Sequence, residues 1–302
     1  MSALKDWAEL LIFQALKSLF FFLPRELCLL FGRMSGFMIY HLDRRHRHIA
    51  LSNLMIAFSS MASCERKKIA RSSFVHFGQT LADILKLSSL GDKQKKRIII
   101  AEGEEHLQKA LRDGKGALLF SAHYGNWEIA SFFVSRLGKL WVTARGLDNK
   151  LLEKELVKIR RDLGAGIIYK ERASKQILHS LRRGEMVAIL IDQNVLRSQA
   201  VFVDFFGKPA ATTPSLASFF LRTRSPIIPV FCFPSQARIY QLKIFEPLKV
   251  DFGTDFEQDV LKITQICTKI IESQIRQNPS FWLWFHDRWR SRPQNEELKR
   301  AQ

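Results

Sequence analysis

Between Arg97 and Gln277 the chain alternates short apolar runs with amphipathic stretches, and this rhythm narrows the possible folds more than any other feature. The apolar runs Arg97–Ala101, Ala117–Ser121, Leu140–Ala144, Ile167–Tyr169, Val187–Ile191, Ile227–Phe233 and Ile239–Phe245 read as strands. The stretches Glu104–Leu111, Trp127–Leu137, Asn149–Leu163, Ser174–Arg183, Pro214–Arg222 and Phe256–Gln277 read as helices. Runs such as Val187–Ile191 are apolar throughout, as expected of strands covered on both faces. The pattern predicts an α/β fold with a helix-flanked, largely parallel central sheet. No internal repeat, low-complexity segment or flexible linker divides residues 61–302, which read as one unit.

The first 60 residues differ in character. Leu10–Leu23 is apolar apart from Gln14, Lys17 and Ser18, and Pro24 stops it. That is shorter than the roughly 20 apolar residues a spanning helix needs. Lys17, together with Asp6 and Glu9 upstream, also argues against a secretory signal. A second stretch, Leu27–Leu42, precedes Arg44, Arg45 and Arg47. We expect residues 1–60 to form a membrane-associated helical segment lying in the interface, with the arginines on anionic lipid phosphates. The competing reading is a helical hairpin packed on the core. Ser63–Ser89 reads as a helix with an apolar stripe of Ile69, Phe74, Phe77, Leu81 and Ile84, followed by a basic, solvated run from Lys93 to Arg97.

A formal charge of +18 points to acidic partners, among which nucleic acid, anionic lipid and an acidic carrier protein all qualify. Cys28, Cys64, Cys232 and Cys267 are scattered without a metal-ligand spacing, so reduced thiols are expected and no metal or cofactor is.

The run from Gly116 to Glu128 carries the chemistry. A strand delivers His123 to a turn containing Gly125 and Asn126, and Glu128 follows where a helix begins. That is the carboxyl edge at which α/β proteins bind ligands. Asn126 suits an N-cap, and Glu128 suits the positive end of the helix. A carboxylate beside an imidazole fixes its tautomer and stabilises the imidazolium formed by proton abstraction. The bland alternative is a capping loop whose histidine bonds only the backbone.

The wider pattern resembles the bacterial lipid A late acyltransferases of the lysophospholipid acyltransferase superfamily, whose signature is His, four residues, then Asp or Glu. Asn53 and Leu54 with Ala57 and Phe58 match an early element. Glu102 to Leu107 with Gly114 and Gly116 match the approach to the catalytic strand. Arg160 with Gly164, Gly166 to Ile168, Asp192 to Asn194, Phe205 to Gly207, Ile228 to Val230 and Trp282 to His286 continue the likeness in order. The resemblance implies a direct acyl transfer in which His123 is general base and Glu128 its partner. It implies an acyl-acyl carrier protein donor, a lipid A precursor hydroxyl as acceptor, and the cytoplasmic face of the inner membrane. It also implies an active-site Arg160, whose forked donors suit a phosphate or an oxyanion. Asp192 and Asn126 join it as candidates for substrate or oxyanion contacts, Asp192 otherwise being a turn cap.

Glycolipid or lysophospholipid acyltransferases, such as those acting on phosphatidylinositol mannoside and often using acyl-coenzyme A, share this pattern and are the nearest alternative. A non-catalytic membrane- or nucleic-acid-binding protein is the remote one. The aromatic and arginine-rich tail Phe281–Arg290 reads as core packing or an interfacial belt rather than a nucleic-acid platform, and Asp287 beside His286 departs from the family pattern. Serine-hydrolase elbows, phosphate-binding glycine loops and His-Glu-x-x-His are absent from the sequence.

Overall fold

The computed structural model describes residues 2–170, 173–235 and 239–294. Five helices come first: α1 (Ser2–Phe22), α2 (Arg25–Leu42), α3 (Arg44–Ala57), α4 (Ser63–Leu87) and α5 (Asp92–Arg97). Alternation follows with β1 (Ile99–Glu102), α6 (Glu104–Arg112), β2 (Ala117–Ser121), α7 (Trp127–Val134), β3 (Leu140–Ala144), α8 (Lys150–Asp162), β4 (Ala165–Tyr169), α9 (Ala173–Arg182) and β5 (Met186–Leu190). The chain closes with β6 (Val201–Phe205), β7 (Lys208–Thr212), α10 (Ser215–Thr223), β8 (Ile227–Pro234), β9 (Tyr240–Ile244) and α11 (Phe256–Gln277).

Seven strands form one sheet in the order β1-β9-β8-β2-β5-β3-β4, parallel at every pairing except β8 with β9. The expected α/β architecture is therefore present. β6 and β7 form a separate antiparallel hairpin that the apolar rhythm did not predict. Along β2, Leu118 and Phe120 enter one apolar core while Ala117 and Leu119 enter the other, so both faces are covered. Tryptophans 282, 284 and 289 are buried in the first of these cores, which settles the tail as packing rather than a surface belt. The basic run before β1 is helix α5, and its Lys95 is buried rather than solvated, stacked over Phe132.

α2 crosses α4 backbone to backbone. A Cβ on Gly32 would lie 2.5 Å from the Gly78 carbonyl oxygen, and one on Gly36 would lie 2.3 Å from that of Phe74. Arg25 at the start of α2 also forms a two-point ion pair with buried Asp83 of α4, at 2.7 Å for each contact. The outer surfaces of α1 and α2 remain apolar and open, with Phe22 82% and Leu42 75% exposed. Among the described residues no helix is long and apolar enough to cross a membrane.

Candidate active site

Sheet register builds the site. β2 and β5 pair in parallel with Ser121 opposite Leu190, so the residues two steps beyond each strand, His123 and Asp192, meet at the same edge. Asp192 takes the His123 backbone N–H on Oδ2 and the ring Nδ1 on Oδ1, both at 2.9 Å. The Trp282 indole N–H donates to the same Oδ2 at 2.8 Å. Burial alone would raise the Asp192 carboxyl, but the His123 charge and these three donors outweigh it and hold the group down at about 2. An ionised Asp192 accepting from Nδ1–H leaves the Nε2 lone pair of His123, on the side facing Gln193, as the proton acceptor.

Glu128 sits elsewhere than expected. It does not bond His123; Arg160 clamps it, with Nε at 3.1 and 3.2 Å from the two carboxylate oxygens and Nη2 at 2.6 Å from Oε1. The cause is geometric, because α7 carries Glu128 toward α8 while β5 presents Asp192 directly across from the imidazole. Burial would lower the Arg160 pKa, but the adjoining Glu128 carboxylate outweighs this and raises it, so the guanidinium stays charged. Both side chains are mostly buried, and Nη1 of Arg160 has no partner among the described residues.

Asn126 is the N-cap foreseen from the sequence. Its Oδ1 accepts from the Ile129 N–H at 3.2 Å and its Nδ2 donates to the Tyr240 hydroxyl at 3.1 Å. Fully buried and bonded at both ends, it does not line the cavity that His123 borders. Gly125 beside it has φ +67°, and a Cβ there would stand 2.0 Å from the Cys232 carbonyl oxygen. The turn is stitched in place: Gly125 N–H donates to Phe281, Asn126 N–H donates to Cys232, and His76 Nε2 lies 3.2 Å from the Gly125 carbonyl. The backbone amides of Gly125 and Asn126 are thereby occupied and cannot serve a developing oxyanion.

His123, Glu128 and Arg160 all border one cavity of about 230 Å³. It runs between the sheet and α7, with Trp127 and Gln193 near the histidine and Val134, Leu140 and Val142 deeper. Trp127 packs edge-on against His123 at 4.9 Å, and Gln193 Nε2 lies 3.4 Å from His123 Nε2. A proton acceptor and a fixed cation thus stand at the mouth of an apolar slot, an arrangement suited to acyl chemistry on a long-chain substrate.

The sequence matches the family described as bacterial lipid A biosynthesis acyltransferase over residues 1–291. The chain belongs to that family. This acyltransferase is 26% identical over 223 residues to the phosphatidylinositol mannoside acyltransferase of Mycobacterium tuberculosis (strain ATCC 25618 / H37Rv), covering 72% of this chain and 69% of that protein. It is 25% identical over 267 residues to a lipid A biosynthesis acyltransferase of Haemophilus influenzae, covering 87% and 81%. With the lipid A biosynthesis palmitoleoyltransferase of Escherichia coli (strain K12) the identity is 23% over 275 residues, covering 91% and 88%.

Two residues of the acyltransferase site escaped the sequence reading. Trp282 entered only through the family likeness and the aromatic tail, with no role of its own, yet it anchors Asp192. Gln193 stood only within the Asp192–Asn194 turn, yet it is the side chain against His123 Nε2. His286, set aside because of its neighbour Asp287, accepts the Asn194 N–H at 3.0 Å and holds that turn from behind.

Proposed function

We propose that this enzyme moves a fatty acyl chain from an acyl-acyl carrier protein to a hydroxyl of a lipid A precursor, by direct transfer. The observation that carries the reading is His123, held by Asp192, at the mouth of the apolar cavity. His123 Nε2 takes the proton of the acceptor hydroxyl as its oxygen attacks the thioester carbonyl. The tetrahedral centre then collapses, the carbon–sulfur bond breaks, and the thiol leaves with a proton returned through His123. An ester and a free carrier thiol result, with no covalent enzyme intermediate. The free Nη1 of Arg160 and the amide of Gln193 are the donors available to the oxyanion or to a substrate phosphate. Glu128 acts by fixing Arg160 rather than by orienting His123.

The same chemistry on a glycolipid acceptor such as a phosphatidylinositol mannoside, from an acyl-coenzyme A donor, is the second reading, favoured by the mycobacterial relative. Residues 1–60 serve as the anchoring segment ahead of the catalytic part, 61–302, and the enzyme works at the cytoplasmic face of the inner membrane. The open apolar faces of α1 and α2 support this, since soluble monomers rarely expose apolar patches beyond a few hundred Å².

The test mixes labelled acyl-acyl carrier protein, a lipid A precursor and enzyme in membranes, with mass spectrometry of the product. A mass gain of one acyl chain is expected, falling at least roughly 10²–10⁴-fold in His123→Ala. A gain that survives His123→Ala would sink the site. No gain with this pair, but one with acyl-coenzyme A and a mannosylated lipid, would establish the second reading.

A further inference from the structure

A second concavity lies on the far side of the catalytic turn, along the crossing of α2 and α4. It is an open groove of about 770 Å³. One wall is α2, with Leu30, Met34, Phe37 and Met38; the other is α4, with Val75 and Gln79; Phe281 contributes to its floor. Arg33 enters from α2 and Arg71 from α4. Neither arginine makes an ion pair or hydrogen bond among the described residues, and no described acidic side chain lines the groove. His76 also borders it, but burial pushes its pKa down to about 4, so the two guanidinium groups supply the positive charge there.

The geometry points to a binding site for one anionic phospholipid, its phosphate held between Arg33 and Arg71 and its upper acyl chain along Leu30, Met34, Phe37 and Met38. This site is separate from the cavity that holds His123, and it rests on the membrane-surface reading given above. Charge complementarity decides the head group: forked guanidinium donors match phosphate oxygens, and no carboxylate competes for them. The wall decides the tail. Met34 and Met38 are unbranched and adaptable, suited to a chain without fixed shape, and both are more than half exposed. The α2 wall of the groove is itself part of that helix's exposed apolar face, so its occupant arrives from the plane in which α2 would lie. A soluble phosphate would leave the apolar wall in water, and a membrane with only neutral lipids would leave both arginines unmatched.

Native mass spectrometry of the full chain in a neutral maltoside detergent tests this without requiring turnover. Phosphatidylglycerol and phosphatidylcholine are offered in turn, then phosphatidylglycerol against excess glycerol 3-phosphate. Wild type is expected to retain one phosphatidylglycerol in preference to phosphatidylcholine, undisturbed by glycerol 3-phosphate. An arginine near an anionic lipid surface contributes roughly a five-fold preference, so Arg33→Ala with Arg71→Ala should weaken retention roughly 30-fold. Lys93→Ala with Lys96→Ala removes the same charge from exposed positions of α5 and should change nothing. His123→Ala should retain lipid like wild type, which separates this claim from the catalytic one. Equal retention of both lipids, displacement by glycerol 3-phosphate, or equal loss in the two double variants would each overturn the site. Near-ultraviolet circular dichroism of each variant confirms that a lost complex is not a lost fold.

Discussion

Asp192 receives three N–H donors with two oxygens, and this count predicts what its amide would do. In Asp192→Asn the single carbonyl oxygen would stay with the His123 backbone and Trp282, whose donors cannot turn. The new NH₂ would then face Nδ1, forcing the imidazole into the tautomer with hydrogen on Nε2, where no proton can be accepted. The equivalent change in the serine-protease triad costs roughly 10⁴ in kcat, and a loss of that order with little change in KM is expected here. Single-turnover acyl transfer would measure it, and a loss under ten-fold would disprove the pairing. The same carboxylate sets a stability term. Its native pKa, about 2, lies below the usual value near 3.9, so its contribution is complete above about pH 5 and is lost as pH falls through about 4 toward about 2. That contribution is on the order of 2–3 kcal/mol. Urea unfolding between about pH 4 and 2 should therefore be flatter with pH in Asp192→Asn than in wild type. His123 was legible in the sequence because strand, glycine turn and helix start are local signals. Its partner was not, because Asp192 meets it through strand order and register, which no local spacing encodes.

At the scale of elements, a buried chain of polar groups ties the first helices to the catalytic turn. Arg25 of α2 pairs with Asp83 of α4, the Tyr240 hydroxyl of β9 donates to Asp83 at 2.7 Å, and Asn126 donates to that hydroxyl. Asp83 is wholly buried, so Arg25→Met would strand its charge at a cost of about 3–5 kcal/mol. Tyr240→Phe removes only the link, leaving Asn126 and Asp83 each short of a partner, for about 1–3 kcal/mol. If the link also positions α7, Tyr240→Phe should lower kcat while leaving KM and the pH profile of the rate unchanged. Unfolding midpoints in detergent and steady-state kinetics on the two variants separate the outcomes; an unaltered kcat would make the link structural only. The strands and helices of this half were readable from period and punctuation, and most ends agree within a residue or two. Where the reading missed, tertiary context decided. The β6–β7 hairpin is short and borrows its stability from α11, where Glu272 accepts the Phe206 N–H at 2.8 Å. Lys95 is drawn inward by Phe132, a contact that a run of basic residues does not advertise.

For the whole molecule, the cavity beside His123 makes chain length a matter of packing. Its lining comes from four strands and two helices, with Lys170 beyond β4 and Gln193 beyond β5, which is why no stretch of sequence revealed its floor. From Arg145 at the mouth to Leu140 at depth β3 rises roughly 3.3 Å per residue, giving roughly 17 Å of slot. Val134 closes the far end from the last turn of α7 and is nearly inaccessible to solvent. Under the acyl-transfer reading, Val134→Phe should fill that end and shift the preferred donor to shorter chains, while Val134→Ala should extend it. A hydrophobic pocket discriminates about 10–200-fold per methylene, so the shift should be plain in a competition among donors of mixed chain length. The readout is the product distribution by mass spectrometry, normalised to a short donor that does not reach Val134. Because Val134 lies far from His123, transfer from that short donor should be preserved in both variants. An unchanged distribution would mean that the chain leaves the cavity before Val134 and that another surface measures it. A fall in transfer from every donor alike would instead point to a disturbed α7, and hence to Glu128 and Arg160 rather than to the slot.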